Sequence, residues 1–334
     1  MTRHSDAIAS IAKDFAQKKQ RLPWVGADLQ TLRNTLLRPN VDLGPWPAKT
    51  ITVGFGEGPD TTLCFVHEPS PAADATDETV ALIHGLGGDA SGTGIAYLTR
   101  AFLEAGYPVV RLNLRAAPMV YALSSGIAHA GKSEDLAAIL SGLDAALGQR
   151  TWLPIGISLG GNLLARALGD GGLADISIKA AMTICAPLDM KAASDRILAP
   201  RNAVYARHLL RDLQNAVLKT GMDAHWKDQA RQSRSVYDFD DRVTGPYHGF
   251  GDAERYYAFA SAGPHLPSIS IPTLVLHAAD DPWIPCESYA PFRPKPGDKA
   301  QMLIVPRGGH VGFHFQGEPR PGYCSAALTW FGAA

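Results

Sequence analysis

The stretch Gly156-Ile157-Ser158-Leu159-Gly160-Gly161-Asn162 lies between two apolar runs, residues 151–157 and residues 163–168. The first run has the length and composition of a buried strand, and the second is typical of a helix. A sharp corner between strand and helix is therefore expected at Ser158. Glycines beside this serine leave room for a backbone with positive φ, which would lift the hydroxyl to the end of a sheet.

The pattern Gly-x-Ser-x-Gly at such a corner is typical of a nucleophilic serine. The pattern alone is weak, because glycine and serine are common and the chain contains 33 glycines. A glycine-rich loop that ends a strand is an equally good interpretation of these residues. The catalytic interpretation requires a base, an acid and an oxyanion-binding loop at matching places.

Strands and helices alternate through most of the chain. Strands are expected at residues 50–55, 61–68, 79–84, 108–114, 151–157, 176–185, 272–277 and 301–305, and helices at 92–105, 134–147, 163–168 and 322–331. This order predicts an α/β fold with a mostly parallel central sheet and helices on both faces, opened by two antiparallel strands. The turn at residues 56–60 suits a hairpin between the first two strands.

Two segments depart from this alternation. Residues 1–47 are expected to be helical and irregular, with helices near 5–20 and 29–37, before a main domain at 48–334. An insertion at 187–270 interrupts that domain, and it contains a helical pattern at 202–219 and an aromatic-rich stretch at 235–261. An insertion this long favours a lid over the strand ends, with packing along the sheet edge as the alternative.

A serine hydroxyl needs a base, and the base needs an orienting carboxylate. Asp281 follows the apolar run 274–277, and His310 follows the last predicted strand in a glycine-rich loop. The order Ser158, Asp281, His310 is that of the α/β-hydrolase arrangement. Asp280 is the competing acid and would otherwise brace the turn, while Asp189 is a more distant alternative.

The segment His84-Gly85-Leu86-Gly87-Gly88 ends the predicted strand 79–84 and fits an oxyanion loop. The backbone N–H groups of Leu86 and Leu159 are the expected donors, and His84 is expected to brace the loop. The spacing of His84 and Asp89 also occurs in some acyltransferases, which we interpret as coincidence. His310 and His314 could form a metal pair, but no acidic third ligand lies nearby, so no metal is expected.

The bulk composition excludes several classes of protein. Lys plus Arg is 31 and Asp plus Glu is 32, so the net charge of −1 gives no indication of a nucleic-acid partner. The four scattered cysteines favour reduced thiols. Residues 1–21 carry charges throughout and no long apolar run occurs, so neither a signal peptide nor an integral membrane segment is expected, and a cytoplasmic location is predicted.

Four further segments resemble the YheT-like branch of the α/β-hydrolases. They are Ala27-Asp28-Leu29-Gln30-Thr31-Leu32, the loop at 84–88, the insertion segments 239–244, 248–250 and 256–257, and the loop at 308–313. The chain departs from that branch at Asp28, where the branch has histidine, and at Arg115-Ala116-Ala117-Pro118, where it has a glycine-rich turn.

The resemblance implies a serine carboxylesterase that needs no cofactor and acts through an acyl-enzyme on a small ester. Short- to medium-chain acyl esters are expected, with an acyltransferase or a lipase or phospholipase as alternatives, and a non-catalytic ligand-binding scaffold as a remote one. Candidate substrate-binding residues are Tyr247, Phe250, Tyr257 and Trp283. Packing of the insertion aromatics onto the sheet is an equally good interpretation, and the sequence does not decide the oligomeric state.

Overall fold

The computed structural model describes residues 3–55, 58–70, 76 and 78–334. Eight strands within these residues form one sheet, in the order β1-β2-β4-β3-β5-β6-β7-β8. The strands are β1 (Lys49–Gly54), β2 (Thr61–His67), β3 (Glu78–Ile83), β4 (Val109–Arg111), β5 (Thr151–Ile157), β6 (Ala181–Ile184), β7 (Thr273–Ala278) and β8 (Ala300–Val305). β2 pairs antiparallel with β1 and β4, and the remaining neighbours pair in parallel. The predicted α/β fold is confirmed.

Helices cover both faces of this sheet. They are α1 (Arg3–Gln17), α2 (Ala27–Leu37), α3 (Thr93–Glu104), α4 (Ser133–Leu147), α5 (Leu159–Gly169), α6 (Met190–Leu198), α7 (Ala203–Lys219), α8 (Ala224–Gln232), α9 (Val236–Phe239), α10 (Gly245–Tyr247), α11 (Ala253–Ala260) and α12 (Gly322–Phe331). One apolar cluster joins α1, α3 and α12 to the sheet, and a second joins α4 and α5 to it. Apolar cover on both faces explains why β5 reads as a continuous apolar run.

Two strands are shorter than the sequence predicts. The expected strand 108–114 pairs only as β4, and beyond it the Asn113 carbonyl accepts a hydrogen bond from the Thr62 hydroxyl. The expected strand 176–185 pairs only as β6, and Ile178 forms an isolated bridge with Trp152 instead. Side-chain and single-bridge contacts of this kind cannot be predicted from a pattern of apolar residues.

Helices occupy most of the insertion at 187–270. The expected helical pattern at 202–219 corresponds to α7, and the aromatic-rich stretch at 235–261 contains α9, α10 and α11. Between α9 and α10 lies one turn of π-helix, Asp240–Thr244. Gly56 and Glu57 of the expected hairpin turn lie outside the described residues.

The remaining general features are the four thiols and the hydropathy of the helices. Cys64, Cys185 and Cys324 are buried, Cys286 is half-buried, and all four are free thiols. None of the helices in the described ranges is long and apolar enough to cross a bilayer.

Candidate active site

Ser158 stands at the corner between β5 and α5, with φ 52° and ψ −121°. A side chain on either flanking glycine would collide with backbone: a Cβ on Gly156 would lie 2.4 Å from the Gly160 carbonyl oxygen, and one on Gly160 would lie 2.3 Å from that of His84. The glycines therefore allow the tight turn, and the turn holds the serine in a left-handed conformation that few residues adopt.

The structure brings Ser158, His310 and Asp281 together. The Ser158 Oγ lies 2.9 Å from His310 Nε2, and His310 Nδ1 lies 2.8 Å from Asp281 Oδ2. Ser158 and Asp281 are more than 120 positions apart in the sequence. Only the fold brings both of them to His310. Such a relay allows the imidazole to accept the serine proton while the carboxylate orients the ring.

Asp281 is held as a carboxylate. Burial acts to raise its pKa, but the adjacent His310 ring and the hydrogen bonds it accepts outweigh burial and lower the pKa. Its second oxygen, Oδ1, accepts hydrogen bonds from the backbone N–H groups of Trp283 at 2.8 Å and Ile284 at 3.0 Å. With Asp281 ionised, His310 Nδ1 is the donor in their contact, which leaves Nε2 free to accept the serine proton.

The two competing acids occupy other positions. Asp280 Oδ1 accepts hydrogen bonds at 2.8 Å from the N–H groups of both Gly308 and Gly309, so it braces the loop that carries His310. Asp189 caps the N-terminus of α6 by accepting a hydrogen bond from Ala192 N at 2.9 Å. The structure therefore places Asp281, rather than either alternative, against the histidine.

The loop after β3 packs directly on the serine. A Cβ placed on Gly85 would lie 3.0 Å from Ser158 Cβ, so only glycine fits comfortably there. Leu159 is the first residue of α5, where a helix leaves its N–H groups without intrahelical acceptors. Leu86 and Leu159 both line the cavity that contains Ser158.

His84 supports this loop from behind. Its Nε2 accepts a hydrogen bond from Leu114 N at 3.0 Å, and its Nδ1 donates to the Gly85 carbonyl at 2.8 Å. Burial lowers the pKa of His84, which favours the neutral ring that this pair of contacts needs. Both ring nitrogens are occupied, so His84 has the bracing position that its place in the sequence predicts.

Two cavities meet at the oxyanion-type loop. The nucleophile cavity, about 610 Å³, is lined by Ser158 and by mainly apolar residues: Leu86, Leu159, Pro187, Met190, Ala193, Ser194, Ile197, Leu209, Leu213, Val236, Asp240, Tyr256, Tyr257, Trp283 and Ile284. The loop cavity, about 870 Å³, lies against residues 84–88 and 114–118 and is not lined by Ser158. Leu86, Leu159, Leu213, Asp240 and Tyr256 line both.

Comparison with known proteins agrees with this geometry. The profile of the alpha/beta hydrolase family matches residues 80–323. The chain belongs to the alpha/beta hydrolase family. It is 30% identical over 313 residues to YheT of Escherichia coli (strain K12), a protein named as a proposed esterase, and the match covers 90% of this chain and 89% of that one.

Two further relatives extend the comparison. This alpha/beta hydrolase is 28% identical over 243 residues to the phospholipase ABHD3 of Mus musculus, covering 72% of this chain but 59% of that protein. The solved esterase Pf2001 of Pyrococcus furiosus shares the fold with a TM-score of 0.58 at 15% identity, covering 88% of this chain and 96% of that one. The esterase and phospholipase relatives support a hydrolase activity for this chain.

The four aromatic candidates divide between two places in this hydrolase. Tyr257 and Trp283 line the nucleophile cavity. The structure places Tyr247 elsewhere, edge-on to Trp226 in the insertion at a ring distance of 5.4 Å. Phe250 also lies outside both cavities, stacked on Tyr256 at 5.7 Å. Tyr247 and Phe250 thus pack the insertion, because their rings find aromatic partners within it.

Sequence reasoning did not single out Asp240 as a site residue. Its carboxyl is buried in the wall shared by both cavities, where it accepts hydrogen bonds from Thr244 Oγ1 and Tyr257 Oη, each at 2.7 Å. Burial raises the pKa of Asp240 to about 6, and these two hydrogen bonds only partly oppose the rise. In the sequence, Asp240 is an aspartate beside another aspartate, Asp241, and no pattern indicates a functional role. Its position in the π-helical turn is a structural sign of such a role.

Cys185 and His277 were also not expected near the site. Atoms of Cys185, Asp281 and His310 that could bind a metal all lie within 4.8 Å of one another. Burial raises the pKa of Cys185 well above its ordinary value and lowers that of His277 to about 4, so both are neutral. His277 stacks on Tyr289 at 4.2 Å. Neither group therefore adds a second charge beside Asp281.

Proposed function

We propose that this alpha/beta hydrolase is a serine carboxylic-ester hydrolase that acts through an acyl-enzyme. The observation that carries the proposal is the continuous relay from Ser158 Oγ to His310 Nε2, at 2.9 Å, and from His310 Nδ1 to Asp281, at 2.8 Å. Nucleophile, base and orienting acid each lie within hydrogen-bond distance of the next, as general-base activation of a hydroxyl requires.

In the first half of the reaction, Ser158 attacks the ester carbonyl while His310 Nε2 takes its proton. The tetrahedral intermediate collapses when His310 returns that proton to the leaving alcohol, which leaves the acyl group on Ser158. In the second half, His310 deprotonates a water that attacks the acyl-enzyme, and the same histidine then protonates Ser158 as the acid departs. Asp281 stabilises the imidazolium in both halves.

The oxyanion of each intermediate is assigned to the backbone N–H groups of Leu86 and Leu159. Support comes from the contact of Gly85 with Ser158 and from the position of Leu159 at the start of α5. Preorganised donors in a site away from water stabilise the transition state of such reactions. Removing one of the two typically costs about 3–4 kcal/mol of that stabilisation. Neither a metal nor a cofactor takes part in this sequence of steps.

The acyl group is assigned to the nucleophile cavity, because that cavity contains Ser158 and its wall is mainly apolar. Short- to medium-chain acyl esters are the proposed substrates. The insertion supplies most of this wall, chiefly through α6, α7, α9 and α11, which supports its role as a lid over the site. A lipase or phospholipase is the second candidate, favoured by the similarity to the mouse phospholipase. A cytoplasmic location stays a prediction of the sequence.

The proposal is tested with p-nitrophenyl esters from acetate to palmitate and with the Ser158→Ala variant. We expect hydrolysis to fall to background in the variant, and a fluorophosphonate probe to label only the wild-type protein. Hydrolysis at the wild-type rate by Ser158→Ala would overturn the assignment. Product analysis with a competing alcohol separates hydrolysis from acyl transfer, and a phosphatidylcholine substrate tests the phospholipase alternative.

A further inference from the structure

Helix α2 lies outside the residues that match the family profile, yet it contacts the loop that carries His310. The Thr31 hydroxyl oxygen accepts a hydrogen bond of 2.8 Å from the backbone N–H of His310. The same hydroxyl donates to the Ala27 carbonyl, also at 2.8 Å, which fixes its rotamer. A side chain of α2 therefore holds the backbone of the residue that contacts Ser158.

Gln30 holds the end of the same loop. Its Oε1 accepts a hydrogen bond from His314 N at 2.7 Å, and its Nε2 donates to the His314 carbonyl at 3.0 Å. Gln30 is 1% exposed, so these bonds have no competition from water. Together, Thr31 and Gln30 attach both His310 and His314 to the same helix.

The loop needs this support because its backbone is strained. Gly309, Val311 and Phe313 all have positive φ, at 59°, 58° and 52°. For the two residues that are not glycine, such conformations are unfavourable and persist only when surrounding contacts impose them. The loop also lies so close to α2 that a Cβ on Gly309 would be 2.5 Å from the Ala27 carbonyl oxygen.

A second connection runs from α2 to the other side of the His310 ring. Trp283 stacks on His310 with ring centroids 4.3 Å apart and planes inclined by 25°. Tyr205 of α7 packs edge-on to Trp283 at 5.3 Å, and its hydroxyl donates to Asp28 Oδ1 at 3.0 Å. The other Asp28 oxygen accepts a bond of 2.9 Å from Arg201.

We propose that α2 is a positioning element of the active site, in which Thr31 and Gln30 fix the His310 loop and Asp28 fixes Trp283 on the imidazole through Tyr205. This inference rests on the proposed role of His310 as the base. The helix touches neither the serine nor the substrate cavity, so its residues act through the histidine. It accounts for the segment Asp28-Leu29-Gln30-Thr31, which the Ser–His–Asp relay leaves without a role.

The consequence is kinetic. Without the Thr31 hydroxyl, the His310 N–H loses its acceptor, and the strained loop loses one of the contacts that hold it. A displacement of about 1 Å at a reacting group can reduce the rate roughly 100-fold. The nucleophile cavity does not include Thr31 or Gln30, so substrate binding is left unchanged.

Thr31→Val removes the hydroxyl and preserves the side-chain shape. We expect kcat for p-nitrophenyl butyrate to fall roughly 10- to 100-fold, with KM within about twofold of wild type. Thr31→Ser, which keeps the hydroxyl, is expected to restore most of the lost kcat. The rate of fluorophosphonate labelling should fall in parallel with kcat, because labelling uses the same activated serine.

Thr99→Val is the matched control. Thr99 is a buried helical threonine whose hydroxyl also donates to the carbonyl four residues earlier, that of Ile95, at 2.8 Å. It lines neither cavity and has no hydrogen bond to the His310 loop among the described residues. We expect its thermal midpoint to drop as that of Thr31→Val does, while its kcat stays at the wild-type value.

The activities of Ser158→Ala and Thr31→Val together distinguish a failure of this inference from a failure of the proposed function. If Ser158→Ala abolishes hydrolysis but a folded Thr31→Val keeps wild-type kcat, this inference is wrong and the proposed function stands. If Ser158→Ala keeps its activity, the proposed function itself fails. If Thr31→Val does not fold, Tyr205→Phe decides, since it removes only the bond to Asp28: a threefold or greater loss of kcat supports the inference, and an unchanged kcat overturns it.

Discussion

Gly160→Ala tests how closely the serine corner must pack on the loop after β3. The added Cβ would lie 2.3 Å from the His84 carbonyl oxygen and 2.7 Å from that of Ile83. Both neighbours are backbone atoms, so no side-chain rotation relieves the overlap. Ordinary contact begins at 3.4 Å, so the start of α5 must move away from the loop by about 1 Å.

That movement separates the groups proposed to act together. Ser158 and Leu159 move with α5, whereas Leu86 stays with the loop, so the nucleophile and the oxyanion donors lose their common geometry. A misplacement of about 1 Å lowers the rate roughly 100-fold, and overpacking of this kind typically destabilises a protein by about 1–3 kcal/mol. We expect kcat for p-nitrophenyl butyrate to fall about 100-fold in a variant that still folds.

The assay compares kcat, the thermal midpoint and circular dichroism of Gly160→Ala with those of Gly54→Ala. Gly54 ends β1, and a Cβ there would have no neighbour within 4 Å. Gly54→Ala is therefore expected to keep wild-type kcat and stability. A folded Gly160→Ala with kcat within twofold of wild type would refute the reasoning, because it would show that the contact between corner and loop does not set the catalytic geometry.

Three further predictions concern the aspartates. Asp281→Asn should lower kcat by roughly 10⁴-fold with little loss of stability, because an amide can no longer fix the His310 tautomer; unfolding curves and kcat measured together check this. Asp280→Ala leaves two backbone N–H groups without their acceptor, so its thermal midpoint should fall while its kcat falls far less than that of Asp281→Asn; an equal loss of kcat would contradict the bracing role. The raised pKa of Asp240, about 6, means that the folded chain keeps a proton that the unfolded chain releases near pH 4. The contribution of Asp240 to stability should therefore fall as pH rises from about 4 to about 6, by on the order of 3 kcal/mol. The free energy of unfolding of Asp240→Asn, measured in urea, should therefore rise relative to that of the wild-type protein as pH increases over that range, and a difference that does not change with pH would argue against this assignment.

Strand and helix positions could be predicted where a segment is buried on both faces. β5 and α12 begin and end at the residues that their apolar patterns indicate, because burial on all sides selects apolar residues throughout. β4 and β6 are shorter than their patterns, because the apolar patterns extend on either side of the residues that pair. An apolar pattern indicates which side chains are buried. It does not indicate which backbone N–H and C=O groups form hydrogen bonds between strands.

The same limit applies to the candidate site. Ser158, Asp281 and His310 each follow a parallel strand, and the carboxyl ends of parallel strands meet at one edge of a sheet, so their approach could be predicted. The aromatic residues of the insertion could not be assigned in this way. Tyr257 faces the cavity whereas Phe250 stacks on Tyr256, and the difference depends on how several short helices pack.

The sequence by itself determined the α/β architecture, the serine corner and the order of the reacting residues, because glycines, apolar runs and strand ends are local features. The tertiary structure alone decided between Asp280 and Asp281, placed Trp283 on His310 and brought α2 against the loop of His310. Each of these depends on contacts between residues far apart in the chain. Distances of 3 Å across such separations are set by the packing of the whole sheet, which no local pattern contains.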